Sequence, residues 1–587
     1  MNDRSSLHGA NWPEGVPYDI DRYEFPLFSI LDNAAREYPD CIYTIFNGAK
    51  RTYSQVKDSA DRIASFLVSR GINPGDRIAI FLPNLPHYPE VFFGILKAGA
   101  VCVTCNPLYK PLELNFQLKD SGAKAVFVMD HQNFYDTALE AMEGSDVHTV
   151  VICNIKSYLP PIKGFMGSVL GLLPKAKGHE TDHFLFDEVV KDNPPDPPVL
   201  DINPRVDNAL ILYTGGTTGI PKGACLSHSN LLSNVRTMEE WIRLEHEPGG
   251  PVIKMKKGGR HVFLGVLPWY HAFGLTICML TSCITASQLV CIPDPRAGKP
   301  PFTDVLKSIE KYKISIVVAV PTIYSLIINH PLVDKFDLSS ILACGSGAAP
   351  LPVEVIKSFE EKTGAVIFEG YGLTETSPVI SANPTNLIQR KIGSVGFPLP
   401  SVDIKIVDMD TGLQELPHGE DGEIAVNGPP VMSGYWNKPD ANEATFRFLS
   451  GDRYFLTGDI GHFDEEGFLI ITDRKKDLIL VGGFNAYPAD IEEILYENGK
   501  VVMAAVIGIP DAKTGEAVKA FIQLKDGVEA TEEEFHEFCK SRMTGYKRPS
   551  EIEFRESLPT SVIGKVLRRV LRDEELKKRK ELGKDQA

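Results

Sequence analysis

Hydrophobic residues recur along the chain with two distinct spacings. Between Thr52 and Arg70, the apolar positions Val56, Ala60, Ile63, Ala64 and Leu67 share one face of a 3.6-residue helix, and Gly71 closes the pattern. A turn at Asn73-Pro74-Gly75-Asp76 follows, and Arg77 to Leu82 is a short β-rich run. A helix through Glu90 to Leu96 and an apolar strand over Ala100 to Thr104 come next. The same alternation returns at Ala123–Val128, Thr149–Cys153, Ile314–Val320 and Ala365–Glu369. Helices alternating with apolar strands predict α/β layers on largely parallel sheets.

After about residue 400 the pattern changes. Val402–Asp408, Gly422–Asn427 and Gly467–Thr472 read as short strands between Gly, Pro and Asp turns, which predicts a small β-rich unit. Beyond Asp473-Arg474-Lys475-Lys476-Asp477 lies a compact α+β pattern, with strands near Val501–Ile507 and Val518–Gln523 and a helix from Glu532 to Met543. That charged cluster marks the expected boundary. The expectation is an α/β protein with a large N-terminal domain over 1–473, its β-rich subdomain at about 400–473, and a small α+β domain over 477–587. No repeat of 20–50 residues is evident.

Val262 to Pro293 contains no Asp, Glu, Lys or Arg, which is long enough to cross a bilayer. Pro268, His271 and Gly274 interrupt it, so it is read as strand, active-site loop, buried helix and strand. The 587 residues are 43% hydrophobic and 24% charged, which excludes wholesale disorder. Acidic residues outnumber basic ones, 77 to 61, and the net charge of −16 argues against a nucleic-acid partner. Ten cysteines are sparse, and the one C-x-x-C pair, Cys102 and Cys105, lies in an apolar stretch without a second pair, so a zinc or redox site is not expected. Neither end shows a secretory, peroxisomal or prenylation signal, and a cytoplasmic location is the expectation.

The most informative stretch runs from Tyr213 to Gly223. Glycines let the backbone approach an anion, threonines offer hydroxyl donors, and Lys222 adds a fixed positive charge. The apolar run Ala209–Leu212 precedes it, so a strand feeds a phosphate-cradling loop. It is not a Walker A loop, because Gly-Lys followed by Ser or Thr is absent from the chain. No G-x-S-x-G elbow or H-E-x-x-H helix offers a competing chemistry.

Thr214 to Gly223 resembles the phosphate loop of the adenylate-forming superfamily, which includes acyl-CoA synthetases, peptide-synthetase adenylation domains and firefly luciferase. Further matching motifs follow in the family's order: Pro268–His271, Gly345–Pro350, Tyr371–Glu375, Thr457–Asp459, Asp473–Asp477, Gly482–Pro488 and Pro559–Lys565. The resemblance covers about residues 25–575 and implies MgATP and coenzyme A as partners of a carboxylic acid. It implies that Thr214, Gly215, Gly216, Thr217, Thr218, Gly219, Lys222 and Thr374 cradle phosphates, and that Glu375, with Thr214 beside it, holds Mg²⁺. Gly370 and Tyr371 resemble the adenine shelf, with Gly347 and Glu369 among the nucleotide contacts. Asp459 and Arg474 resemble the ribose contacts. Lys565 is similar to the lysine that stabilises charge during adenylation. His271 matches the residue beside the acyl carboxylate that gates thiol access. Residues 474–476 are the implied hinge, about which the small mobile domain turns at Lys476 to present Gly482 and Gly483 to coenzyme A.

Gly215 stands where Ser or Thr is frequent, and Leu480 where luciferases carry a second lysine. With the neighbouring motifs they resemble bacterial long-chain fatty-acid–CoA ligases. Ligases for medium-chain, aromatic or alicyclic acids, and a non-catalytic lipid-binding member, are the alternatives. The apolar, basic-flanked insert at 155–179 suits peripheral contact with a membrane's inner face, packing on its own domain, or a homodimer contact, and the sequence leaves these open.

Overall fold

The computed structural model describes residues 12–20, 24–160, 173–180, 182–214, 221–245, 252–385, 389–511, 513–525, 527–560 and 566–581. The helix read from the first apolar stripe spans Tyr53–Ser69, and its five stripe residues are fully buried. Thr52 starts it with a reciprocal cap: its hydroxyl accepts from Gln55 N–H while the Gln55 side chain accepts from Thr52 N–H. The next helix, His87–Lys97, is buried on every side, as its almost unbroken apolar sequence requires.

Two large sheets form the N-terminal domain. One has the order Phe397–Pro398, Val379–Ala382, Val366–Gly372, Ala343–Ser346, Ile316–Ala319, Val262–Gly265, Gln288–Cys291, Ile42–Phe46 and Ala49–Thr52. The six strands from Val366–Gly372 to Ile42–Phe46 are joined by five parallel pairings, and the edges are antiparallel. The other has the order Gly434–Tyr435, Lys222–Ser227, Asn208–Thr214, Val101–Thr104, Arg77–Phe81, Ala123–Met129, Thr149–Cys153 and Phe184–Leu185. One apolar core joins them, and a second lies on the outer face of the latter sheet.

The uncharged stretch at 262–293 is strand Val262–Gly265, a loop, the π-wound helix Phe273–Leu280 continuing through Thr281–Ile284, and strand Gln288–Cys291. Among the described residues, no helix is long and apolar enough to cross a membrane. An antiparallel sheet follows, built from Asp403–Val407, Gly422–Asn427, Asp452–Phe463, Phe446–Leu449 and Leu469–Arg474.

The small C-terminal domain has a sheet of Phe484–Ala486, Ile479–Val481, Gly515–Leu524, Val501–Asp511 and Glu551–Phe554, with its own apolar clusters. Its central strands run longer than their apolar cores suggest, and the helix from Glu532 ends at Lys540, short of Met543. All ten cysteines are free. Cys102 and Cys105 are buried, and burial pushes both thiols up, away from the thiolate form.

Candidate active site

Strands Asn208–Thr214 and Lys222–Ser227 pair antiparallel, and their register sets Thr214 opposite Lys222 at the mouth of the glycine-rich loop. The Thr214 hydroxyl donates to the Lys222 carbonyl at 3.4 Å. Gly215, Gly216, Thr217, Thr218 and Gly219 lie outside the described residues. The two-residue strand Gly434–Tyr435 extends this sheet, with Tyr435 opposite Ala224, and it brings the Tyr435 ring centroid within 5.1 Å of Lys222 Nζ.

Glu375 sits in the single 3₁₀ turn Thr374–Thr376, just past strand Val366–Gly372. The turn is tight because a side chain at Gly372 would fall 1.9 Å from the Pro378 carbonyl oxygen. The Thr376 hydroxyl accepts from Leu373 N–H, and Met432 N–H donates to the Glu375 carbonyl. Only 8% of Glu375 is exposed, and Tyr435 donates its hydroxyl to Oε1 at 2.7 Å. Burial raises this carboxyl, while the Tyr435 hydrogen bond and the nearby Arg474 charge oppose the rise. Among the described residues, no cationic side chain forms an ion pair with it. A buried carboxylate without an ion-pair partner, beside a phosphate-type loop, fits a bound divalent cation.

Tyr371 lies on the strand that leads to Glu375, and its hydroxyl donates to Asp459 Oδ2 at 2.7 Å. Asp459 and Arg474 face each other across paired strands, and Arg474 Nε meets Asp459 Oδ1 at 2.9 Å. Behind them, the buried Glu423 accepts from Gly458 N–H at 3.1 Å and pairs with Lys475 Nζ at 2.8 Å. Lys475 N–H then donates to the Gly458 carbonyl, so the turn before Asp459 and the residue after Arg474 are tied together.

A side chain at Gly347 would press on the Gly370 carbonyl and the Phe273 ring, at 3.1 and 3.3 Å, so these three residues form one close-packed wall. Glu369 is next along the strand from Gly370, and burial raises its carboxyl to about 7 against hydrogen bonds from Leu351 and Gly393 N–H. Lys476 is lowered to about 8, by burial first and by the Arg474 charge second.

His271 stands at the end of the loop after strand Val262–Gly265. The neighbouring sheet fixes that loop through Asn84, whose amide donates to the Gly265 and Leu267 carbonyls and accepts from Trp269 N–H. Tyr88 and Thr104 hydroxyls donate to the Trp269 and Tyr270 carbonyls. His271 lies against the Tyr270 ring, and burial pushes its imidazole down to about 4, so it is neutral at pH 7.

The structure therefore brings together Thr214 with Lys222, Lys222 with Glu375 through Tyr435, and Tyr371 with Asp459 and Arg474. Gly482 and Gly483 are exposed on the hairpin between Ile479–Val481 and Phe484–Ala486, with left-handed φ of 59° and 87°. Among the described residues, no hydrogen bond, ion pair or ring contact ties them to that group. Lys565 lies outside the described residues; on either side of that stretch, Thr560 pairs with Val566. Just beyond it, Arg568 binds Glu492 through two nitrogens and lies 3.8 and 3.5 Å from Asp473 and Asp477. Of the insert, 161–172 lie outside the described residues. Its flanks pack on their own domain, with Tyr158 buried against His87 and Phe186, and Ala176 N–H and the His179 ring on Asp130.

Sequence reasoning missed Tyr435, Glu423 and Asn84. Glu423 had a signal, a charged residue inside the apolar run Gly422–Asn427, and Asn84 a weaker one, a polar residue closing an apolar run before a buried helix. Tyr435 had none, because its partners are distant in sequence.

A sequence profile of the AMP-binding enzyme family matches residues 31–436, and a profile of the AMP-binding enzyme C-terminal domain matches 490–565. A long-chain-fatty-acid–CoA ligase of Bacillus subtilis (strain 168) is 39% identical over 576 residues, covering 96% of this chain and 97% of that protein. The protein of the same name from Salmonella typhimurium is 37% identical over 574 residues, covering 96% and 97%. Among solved structures, the ATP-bound RpMatB-BxBclM chimera B1 superposes with a TM-score of 0.79 at 29% identity, covering 96% of this chain and all of that one.

Proposed function

The chain belongs to the AMP-binding enzyme family, and from that membership we propose that it is an AMP-forming long-chain fatty-acid–CoA ligase. The observation that carries the reading is the group around Glu375: a buried, unpaired carboxylate bridged to Lys222, within reach of the Asp459–Arg474 charges. Thr214, residues 215–219, Lys222 and Thr374 hold the triphosphate of ATP. Asp459, paired with Arg474, accepts from the ribose hydroxyls, Gly370 and Tyr371 form the adenine shelf, and Gly347 and Glu369 are further nucleotide contacts. Glu375 and Thr214 would hold magnesium, which supplies charge neutralisation across the phosphate oxygens.

In the first half-reaction, a fatty-acid carboxylate oxygen attacks the α-phosphorus of ATP, and the bond to the pyrophosphate oxygen breaks. Lys565 stabilises the charge that develops there. The carboxylate arrives deprotonated, so no general base is needed. The neutral His271 offers a hydrogen bond beside it without adding charge, and it closes the path of the thiol. In the second half-reaction, the small domain over 477–587 turns about the hinge at 474–476, pivoting on Lys476, and carries Gly482 and Gly483 to the site. The coenzyme A thiolate, its proton lost to solvent, attacks the acyl carbon, and AMP leaves. Two activated steps replace one difficult acyl transfer.

A panel of fatty, aromatic and alicyclic acids, monitored by AMP formation with MgATP and coenzyme A, tests this. Long-chain acids should give the highest kcat/KM, and turnover confined to ring acids, or none at all, would overturn it. The reading also includes a cytoplasmic location, a homodimer, and peripheral membrane contact through 155–179. Light scattering tests the homodimer and sedimentation with anionic vesicles at low salt tests the membrane contact.

A further inference from the structure

Tyr435 touches both ends of the phosphate-binding group, and nothing in the sequence motifs assigns it a role. Its backbone has little freedom. It pairs with Ala224, its N–H donates to Asn442 Oδ1 at 2.6 Å, and the Asn442 amide donates back to its carbonyl at 3.1 Å. The next residue is also fixed: Trp436 N–H donates to the Gly223 carbonyl at 2.7 Å and its indole N–H to the Asp120 carbonyl at 3.1 Å. The side chain therefore projects from an anchored strand. Its hydroxyl donates to Glu375 Oε1 and its ring lies 5.1 Å from Lys222 Nζ, within the range of a cation–ring attraction.

A carboxylate offers about four lone-pair sites, and the phenol occupies one. The hydrogen bond thus fixes the rotation of the Glu375 carboxylate, and even with the further bond from its own backbone N–H the carboxylate keeps lone-pair sites for a ligand. The ring independently limits where Lys222 can reach. We propose that Tyr435 is a positioning residue that aims Glu375 at the cation and Lys222 at the phosphates of ATP. This rests on the assignment of Glu375 to magnesium made above.

The two contacts can be separated by substitution. Tyr435→Phe keeps the ring and the strand pairing and removes only the hydroxyl, whereas Tyr435→Leu removes both contacts. ATP binding to the whole protein is measured by calorimetry in EDTA and in saturating Mg²⁺, without acid or coenzyme A. In Tyr435→Phe, affinity in EDTA should stay within about twofold of the parent, while the gain on adding Mg²⁺ should shrink about tenfold, the loss expected for one charge-assisted hydrogen bond. Tyr435→Leu should also bind ATP several-fold more weakly in EDTA. Melting temperature, read in parallel, should fall by no more than about a few degrees in Tyr435→Phe, the cost of one hydrogen bond with the strand pairing kept.

A full Mg²⁺ gain in Tyr435→Phe would overturn the proposal, as would an equal fall with and without the metal, which marks a structural role only. Because no acid is present, the comparison decides on Tyr435 whatever acyl substrate the enzyme takes.

Discussion

Replacing Asp459 by Asn tests the nucleotide end of the site with the smallest change of shape. Asp459 is 3% exposed; its Oδ2 accepts from the Tyr371 hydroxyl at 2.7 Å, and its Oδ1 forms an ion pair with Arg474 Nε at 2.9 Å. A carboxylate oxygen has about two lone-pair sites, so one site on each oxygen remains, a match for the two hydroxyls of a ribose. The amide keeps one acceptor oxygen and turns its nitrogen toward a donor, so one sugar bond is lost and the other becomes neutral. Hydrogen bonds to charged groups contribute about 1.5–3 kcal/mol against about 1 for neutral ones. The expected loss is about 2–3 kcal/mol, or about 30- to 150-fold in KM for ATP. Folding stability should fall by only about 1 kcal/mol, because the Arg474 side chain is 34% exposed and water replaces part of its lost partner. ATP–pyrophosphate exchange with a fatty acid measures the first effect. The decisive comparison uses 2′-deoxy-ATP: the parent should discriminate against it at least about tenfold, and Asp459→Asn hardly at all. If the variant discriminates as strongly as the parent, Asp459 does not hold the sugar.

Lys565→Ala should slow adenylate formation by about 10²–10³-fold, the scale of one lost preorganised charge contact, yet leave thioester formation from supplied acyl-adenylate intact. Equal losses in both steps would refute the division of labour. Lys476→Pro fixes φ near −65° and should let acyl-adenylate accumulate without acyl-CoA; normal turnover would place the hinge elsewhere. His228 Nδ1 accepts from Leu27 N–H at 3.0 Å, and burial pushes its imidazole down to about 4, against about 6.5 unfolded. Between these values the unfolded chain binds the extra proton, so stability rises with pH from about 4 to 6.5 and is lost as pH falls. His228→Asn, which keeps an acceptor for Leu27, should flatten that dependence in urea titrations, and parallel curves would refute it.

The layered fold was legible because its signals are local. The stripe through Val56 and Leu67 and the apolar runs at Val101 and Val126 each declare an element within a few residues. Strand order was not legible: Ile42–Phe46 pairs with Gln288–Cys291, more than 240 residues away, and nothing in either run encodes its partner. The site divides in the same way. Thr214, Glu375 and Asp459 stand in motifs whose resemblance to the family points to them. Asn84, Glu423 and Tyr435 act through backbone groups or side chains that only the folded chain brings near. The π-wound turn at Phe273–Leu280 was equally hidden, since its apolar composition suits any buried helix.

The ladder between Asp452–Phe463 and Leu469–Arg474 ends at Arg474, and Lys475 is held to Gly458, so almost no free chain precedes the first strand of the C-terminal sheet at Ile479. This sets unequal rules for how the gene can change length. In the insert at 155–179, chain can be added between the packed flanks at little expense, because each doubling of the length to be closed costs only about 0.6 kcal/mol. One residue inserted between Arg474 and Ile479 either adds slack at the joint or slips a strand by one position, which turns every side chain on that strand to the opposite face. Length polymorphism should therefore gather in the insert and be absent from the joint, a pattern set by chain geometry before any demand of catalysis.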